Sequence, residues 1–170
     1  SLYVYNLSYE DYIELGKLTP SQEDLLREVM SEEFLHSMPA SGIGEQVALL
    51  AQEKVGCQYS QDLRYEEGYY DCSSLVQRCY AQFGVNLPSV ASTQGQYIVD
   101  NGLQVSENEL RPGDLIFHAR DDNADEFMSI GHVAIYVGNG MQVDARGTAY
   151  GVVYRPLVPS NIGLYGRPCR

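Results

Sequence analysis

The sequence predicts an α+β fold in which helices come first and consecutive antiparallel strands follow. Two observations carry this. Apolar residues recur at helical spacing over about 44–55 and 71–84, then give way to strand-like alternation from about 114 to 168. The second half is also cut by turn signals, Arg111-Pro112-Gly113 and Gly138-Asn139-Gly140, which separate runs of strand length. A chain of 170 residues, 44% hydrophobic and 20% charged, is long enough to bury such a core.

The elements follow in order. Residues 1–40 read as an N-terminal helical extension and 41–170 as the main domain. Within the extension, Thr19 suits a cap and Pro20 the first helical position. Glu23 and Asp24 lie at the positive end of the dipole, and Leu25, Leu26, Val29, Met30 and Phe34 form an apolar stripe. PASGIG (39–44) reads as a linker. Val47, Leu50, Ala51 and Val55 mark a helix over about 44–55. A tyrosine-rich irregular stretch follows, and then a helix from Asp71 that Gly84 ends. A short helix runs over about 91–99. Strands are expected at 114–120, 132–138, 141–146, 151–155 and near 163–168. The acidic run DDNADE (121–126) reads as a solvated loop.

Charge and composition exclude several functions. The net charge of −12 leaves no basic patch for nucleic acid and repels anionic lipid. No apolar run reaches the roughly 18–20 residues of a membrane span, so insertion is not expected. The opening SLYVYNLSYE has neither a basic stretch nor an apolar run and does not read as a signal peptide. Cys57, Cys72, Cys79 and Cys169 form no C-x-x-C pair, so neither metal nor cofactor is expected. Oligomeric state is not legible.

Chemistry concentrates at three positions. Cys72 starts a predicted helix, where unpaired N–H groups and the dipole favour a thiolate. From position alone, a small buried hydrophobe is the commoner reading, since most free cysteines end up so. Cys79, mid-helix among apolar neighbours, reads as core. A cysteine nucleophile needs a base. Of the three histidines, His36 lies at the end of the N-terminal helix, and His118 and His132 lie on strands. Asp144 follows His132 across the Gly-Asn-Gly turn. With a three-residue loop or a bulge there, Asp144 falls opposite Ala134, diagonal to His132 and on its face. A plain two-residue loop turns it away.

Four blocks then carry a resemblance. These are Asp71-Cys72-Ser73-Ser74-Leu75-Val76-Gln77, Val85-Asn86-Leu87-Pro88, Arg111-Pro112-Gly113-Asp114-Leu115-Ile116-Phe117 and His132-Val133-Ala134-Ile135-Tyr136-Val137-Gly138-Asn139-Gly140. In this order and spacing, over about 44–156, they resemble the NlpC/P60 cysteine peptidases, papain-like bacterial cell-wall hydrolases. The resemblance implies N-terminal helices packed on a central antiparallel sheet of about five or six strands. It implies Cys72 as nucleophile, His132 as general base and Asp144 as the third, orienting residue. It also implies Tyr59 as an oxyanion donor beside the Cys72 N–H, with Asp71 and Ser73 holding a substrate's N-terminal amine.

The activity so implied is hydrolysis of an amide in peptidoglycan stem peptides, chiefly the γ-D-glutamyl bond to meso-diaminopimelate or lysine. It would act outside the membrane, at the cell wall of a bacterium. A different wall amide or a vestigial wall-binding module are the rival readings. Three departures stand out. Ser74 and Ala134 replace usual glycines, and SQDLRYEEG (60–68) replaces a Gly-Gly. His118, at a usually aromatic position, reads as a groove-wall or packing residue.

Overall fold

A computed structural model describes residues 40–169. The helix expected around Thr19–Met38, and His36 with it, lie outside the described residues. Among the described residues three α-helices come first: α1 (Ala40–Glu53), α2 (Cys72–Ala81) and α3 (Ala91–Asp100). Between α1 and α2 run two short strands, β1 (Gln58–Tyr59) and β2 (Tyr69–Tyr70), paired parallel. The remaining strands are β3 (Gln104–Val105), β4 (Leu115–Ala119), β5 (Ile130–Gly138), β6 (Met141–Gly147), β7 (Gly151–Pro156) and β8 (Ile162–Gly166). They form one sheet of order β3-β8-β4-β5-β6-β7 with every pair antiparallel. The predicted α+β class and strand number stand.

Two sequence expectations change. PASGIG is not a linker throughout, because α1 already begins at Ala40. Its Gly44 lies against the Arg111–Asp114 turn, where Gly113 adopts φ 96° and a Cβ would stand 2.3 Å from the Gly44 backbone. The acidic run is also not plain loop, since Asp121–Asn123 closes a 3-10 turn.

The core lies between the helices and one face of the sheet. Leu75, Val76 and Cys79 of α2 meet Leu115 and Phe117 of β4, Val133 and Ile135 of β5, and Val143 and Ala145 of β6, all buried. Strand alternation therefore sends Ile116, His118, His132, Ala134, Gln142 and Asp144 to the opposite side. Asp114, in the turn before β4, is itself buried and ties this frame together. It accepts the Arg111 backbone N–H and a two-pronged Arg167 guanidinium, Nε to Oδ1 and Nη2 to Oδ2, both at 2.9 Å. Arg78 does the same for the loop between β1 and β2. Its Nη1 donates to the carbonyls of Arg64 and Tyr69 at 3.0 and 2.7 Å, and its guanidinium lies 4.0 Å from the centre of the Tyr70 ring.

Candidate active site

The position of the candidate nucleophile, Cys72, is built by a helix cap. Asp71 is the N-cap of α2, in extended conformation, and Ser74 N–H donates to its Oδ1 at 2.8 Å. Ser74 returns the bond, its Oγ accepting the Asp71 N–H at 2.9 Å. This reciprocal capping box explains why a serine stands at 74. It sets Cys72 at the first helical position, half-buried and with a free thiol. Cys79 is buried in the core, which pushes its thiol up to about 12 and leaves it unreactive.

The candidate base, His132, comes from β5, and the candidate orienting group, Asp144, from β6. His132 Nε2 lies 2.8 Å from Asp144 Oδ2. Cys72 is the other side chain that acts electrostatically on the ring, and it favours the charged form. Burial works against a charged ring, but Asp144 and Cys72 outweigh it and raise His132 from 6.5 to about 9. Burial likewise opposes the Asp144 carboxylate. Its bonds from His132, Arg155 and Gln142 prevail and hold it well below the usual carboxylate range. A buried anion, a cationic ring and a thiol thus stand in a row.

The turn that makes this possible is a two-residue one with a bulge. Gly138 pairs with Met141 across Asn139-Gly140, which adopt φ 54° and 71°. The register then shifts by one, and Tyr136 pairs with Gln142 and Ile135 with Val143. Without that shift Asp144 would face the core. The required condition, loop or bulge, is met by the bulge at Val137.

Tyr59 sits half-buried on β1. Burial first, then the neighbouring Cys72 and Asp71, push its phenol up, so it stays a proton donor. His118 is the cross-strand partner of His132, their ring centroids 5.9 Å apart. Its Nδ1 donates to the Ser160 carbonyl at 2.9 Å, which leaves Nε2 the lone pair and no partner among the described residues. Burial lowers its pKa, which favours the neutral ring beside His132.

Three residues of the site were not singled out in the sequence. Arg155 of β7 grips Asp144, and Gln142 Nε2 adds a third bond at 3.1 Å. Arg64, in the loop between β1 and β2, reaches Asp71 and Ser73. None belongs to a local pattern, and only the Gly-Gly replacement around Arg64 signalled a departure.

The model of the NlpC/P60 family matches residues 56–162, which contain the cap, the bulged hairpin and Cys72, His132 and Asp144. The chain belongs to the NlpC/P60 family. Among relatives, a probable endopeptidase p60 of Listeria seeligeri is 36% identical over 96 residues, covering 56% of this chain and 16% of the relative. The peptidoglycan DL-endopeptidase CwlO of Bacillus licheniformis is 42% identical over 71 residues, 42% of this chain and 14% of that one. This chain therefore spans only a small part of the length of either relative. The solved structure of NlpC2 from Trichomonas vaginalis superposes with a TM-score of 0.67 at 26% identity, covering 80% of this chain and 50% of that one. The NlpC/P60 frame is thus shared in fold as well as in sequence.

Proposed function

We propose that this NlpC/P60 domain is a cysteine peptidase that hydrolyses an amide in peptidoglycan stem peptides, at the γ-D-glutamyl bond to meso-diaminopimelate or lysine. The observation that carries it is the His132 ring held between Asp144 at 2.8 Å and Cys72 at the tip of α2. The peptidoglycan DL-endopeptidase name of the CwlO relative supports the substrate class.

In this mechanism Cys72 Sγ attacks the scissile carbonyl carbon as a thiolate. The oxyanion meets the Cys72 N–H, which the first turn of a helix leaves without an intrahelical partner, and the Tyr59 hydroxyl. His132 gives its proton to the departing amine as the C–N bond breaks, leaving a thioester. Water then loses a proton to His132 and attacks the thioester. Collapse releases the acid, and the sulfur recovers the starting state. Asp144 stays ionised throughout and fixes the ring. No step calls on a metal or cofactor. Since the substrate lies outside the membrane, the domain acts at the bacterial cell wall after export.

Digestion of purified muropeptides, read by mass spectrometry, tests the proposal. The expected products end at the γ-D-glutamyl carboxyl and vanish with Cys72→Ala. Cleavage at a cross-bridge or at the muramoyl-L-alanine bond would replace the assigned bond. A folded wild type that cuts nothing would favour a wall-binding module.

A further inference from the structure

The two side chains flanking the nucleophile are already in use. Asp71 spends Oδ1 on the helix cap, and its Oδ2 lies 2.9 Å from Arg64 Nε in an ion pair. Ser73 Oγ accepts from Arg64 Nη2 at 2.8 Å, and the same nitrogen donates to the Ser89 carbonyl. A carboxylate, a hydroxyl and a carbonyl thus converge on one cation. That set of three acceptors also suits an ammonium group, which has three N–H donors. Here the cation belongs to the protein.

Arg64 is also held in place. The Arg78 guanidinium anchors its backbone carbonyl from one side, and Tyr65 Oη donates to Gln77 Oε1 at 2.6 Å on the next residue. The Arg64 and Asp71 side chains are only 17% and 10% exposed. A second cation entering this cradle would have to expel the first and leave a mostly buried guanidinium unpaired. Ser73, accepting from Arg64, keeps its own proton to donate. It is therefore matched to a carbonyl oxygen, such as that of an amide.

We infer that Arg64 is a specificity-determining residue, an internal cation that fills the acceptor cradle beside Cys72. The site thereby takes acyl-side strands whose N-terminus is already amide-linked and turns away those with a free amine. This rests on the hydrolase reading for its substrate class, while the occupied cradle stands on geometry alone.

Two measurements on the full chain test it. The first compares kcat/KM for L-Ala-γ-D-Glu-L-Lys with a free and with an acetylated N-terminus. Wild type should cleave the acetylated peptide at least as well. Arg64→Gln should move the ratio toward the free amine by about tenfold or more, the effect of one charge contact. Arg64→Lys, which keeps the cation, should leave the ratio near wild type. A wild-type preference for the free amine, or an unchanged ratio in folded Arg64→Gln, overturns the inference.

The second measurement needs no turnover. Alaninamide and N-acetylalaninamide are titrated against 15N-labelled chain while the Ser73 and Ser74 amides are followed. Alaninamide should shift them in Arg64→Gln alone, and the acetyl form should not reproduce that shift. Binding of alaninamide there by wild type, or none by folded Arg64→Gln, overturns the inference. If wild type cleaves neither peptide, the hydrolase reading falls by itself, and these shifts still decide the role of Arg64.

Discussion

Arg155 grips both oxygens of Asp144, Nε at 3.0 Å from Oδ1 and Nη2 at 2.6 Å from Oδ2, while Oδ2 also holds His132. The carboxylate is fully buried and the guanidinium partly so, at 0% and 23% side-chain exposure. One anion thus serves the His132 ring and the Arg155 guanidinium together. Fixed from two strands, it cannot turn away from His132.

Removing the clamp should therefore destabilise the fold as well as slow it. Arg155→Met strips a buried carboxylate of its main counter-charge, and loss of one partner of a buried pair costs about 3 kcal/mol. Arg155→Lys should restore much of this, though not the two-pronged geometry. Urea unfolding of the two variants measures the difference.

Asp144→Asn keeps the shape of the orienting group and loses its charge. The rate should fall about tenfold, and about a hundredfold in Asp144→Ala, which is about 2.7 kcal/mol of barrier. The neutral amide also stops favouring the imidazolium, so the alkaline limb of the pH–rate profile should move to lower pH. An unmoved limb would show that Asp144 orients His132 without acting on its charge.

The wild-type profile has an expected position. His132 is raised from 6.5 to about 9, so the charged ring survives through neutrality and kcat/KM should decline near pH 9. The same shift is a stability effect. A group whose pKa is raised on folding contributes fully below its unfolded value, here 6.5, and loses that contribution as pH rises through about 9. Thermal melts between pH 6 and 10 read it directly.

The two helical cysteines should separate cleanly. Cys72→Ala should abolish turnover with the fold intact. Cys79→Ala truncates the core at a residue only 1% exposed, costing about 1–2 kcal/mol with activity retained. Activity assays beside denaturant melts distinguish the pair.

Ser74→Gly tests the cap. It removes the Oγ that accepts the Asp71 N–H, in a buried box, and should cost about 1 kcal/mol. Denaturant midpoints of the variant and wild type give the figure.

Much of this site was legible in the sequence because its signals are local. The change of period from 3.6 to 2 gave the class, and α3 and the strand starts at 115, 141 and 151 lie within a residue of expectation. A helix opening at Asp71-Cys72 and carrying an apolar stripe placed a cysteine at a helix tip. Strand parity related His132 to Asp144 but left a condition open. A two-residue turn and a bulged one differ by a single register step, and Gly138-Asn139-Gly140 permits both.

The sequence by itself determined the α+β order, the seat of Cys72 at the start of α2 and the condition under which His132 and Asp144 share a face. Tertiary structure alone decided the bulge at Val137, the clamp of Arg155 and Gln142 on Asp144, and the reach of Arg64 to Asp71 and Ser73. The physical reason is range. Helix caps and strand alternation are written into neighbouring residues, because backbone geometry repeats every few positions. An arginine has a long side chain with no period, and its partner is whichever buried acceptor the folded chain brings within about 3 Å.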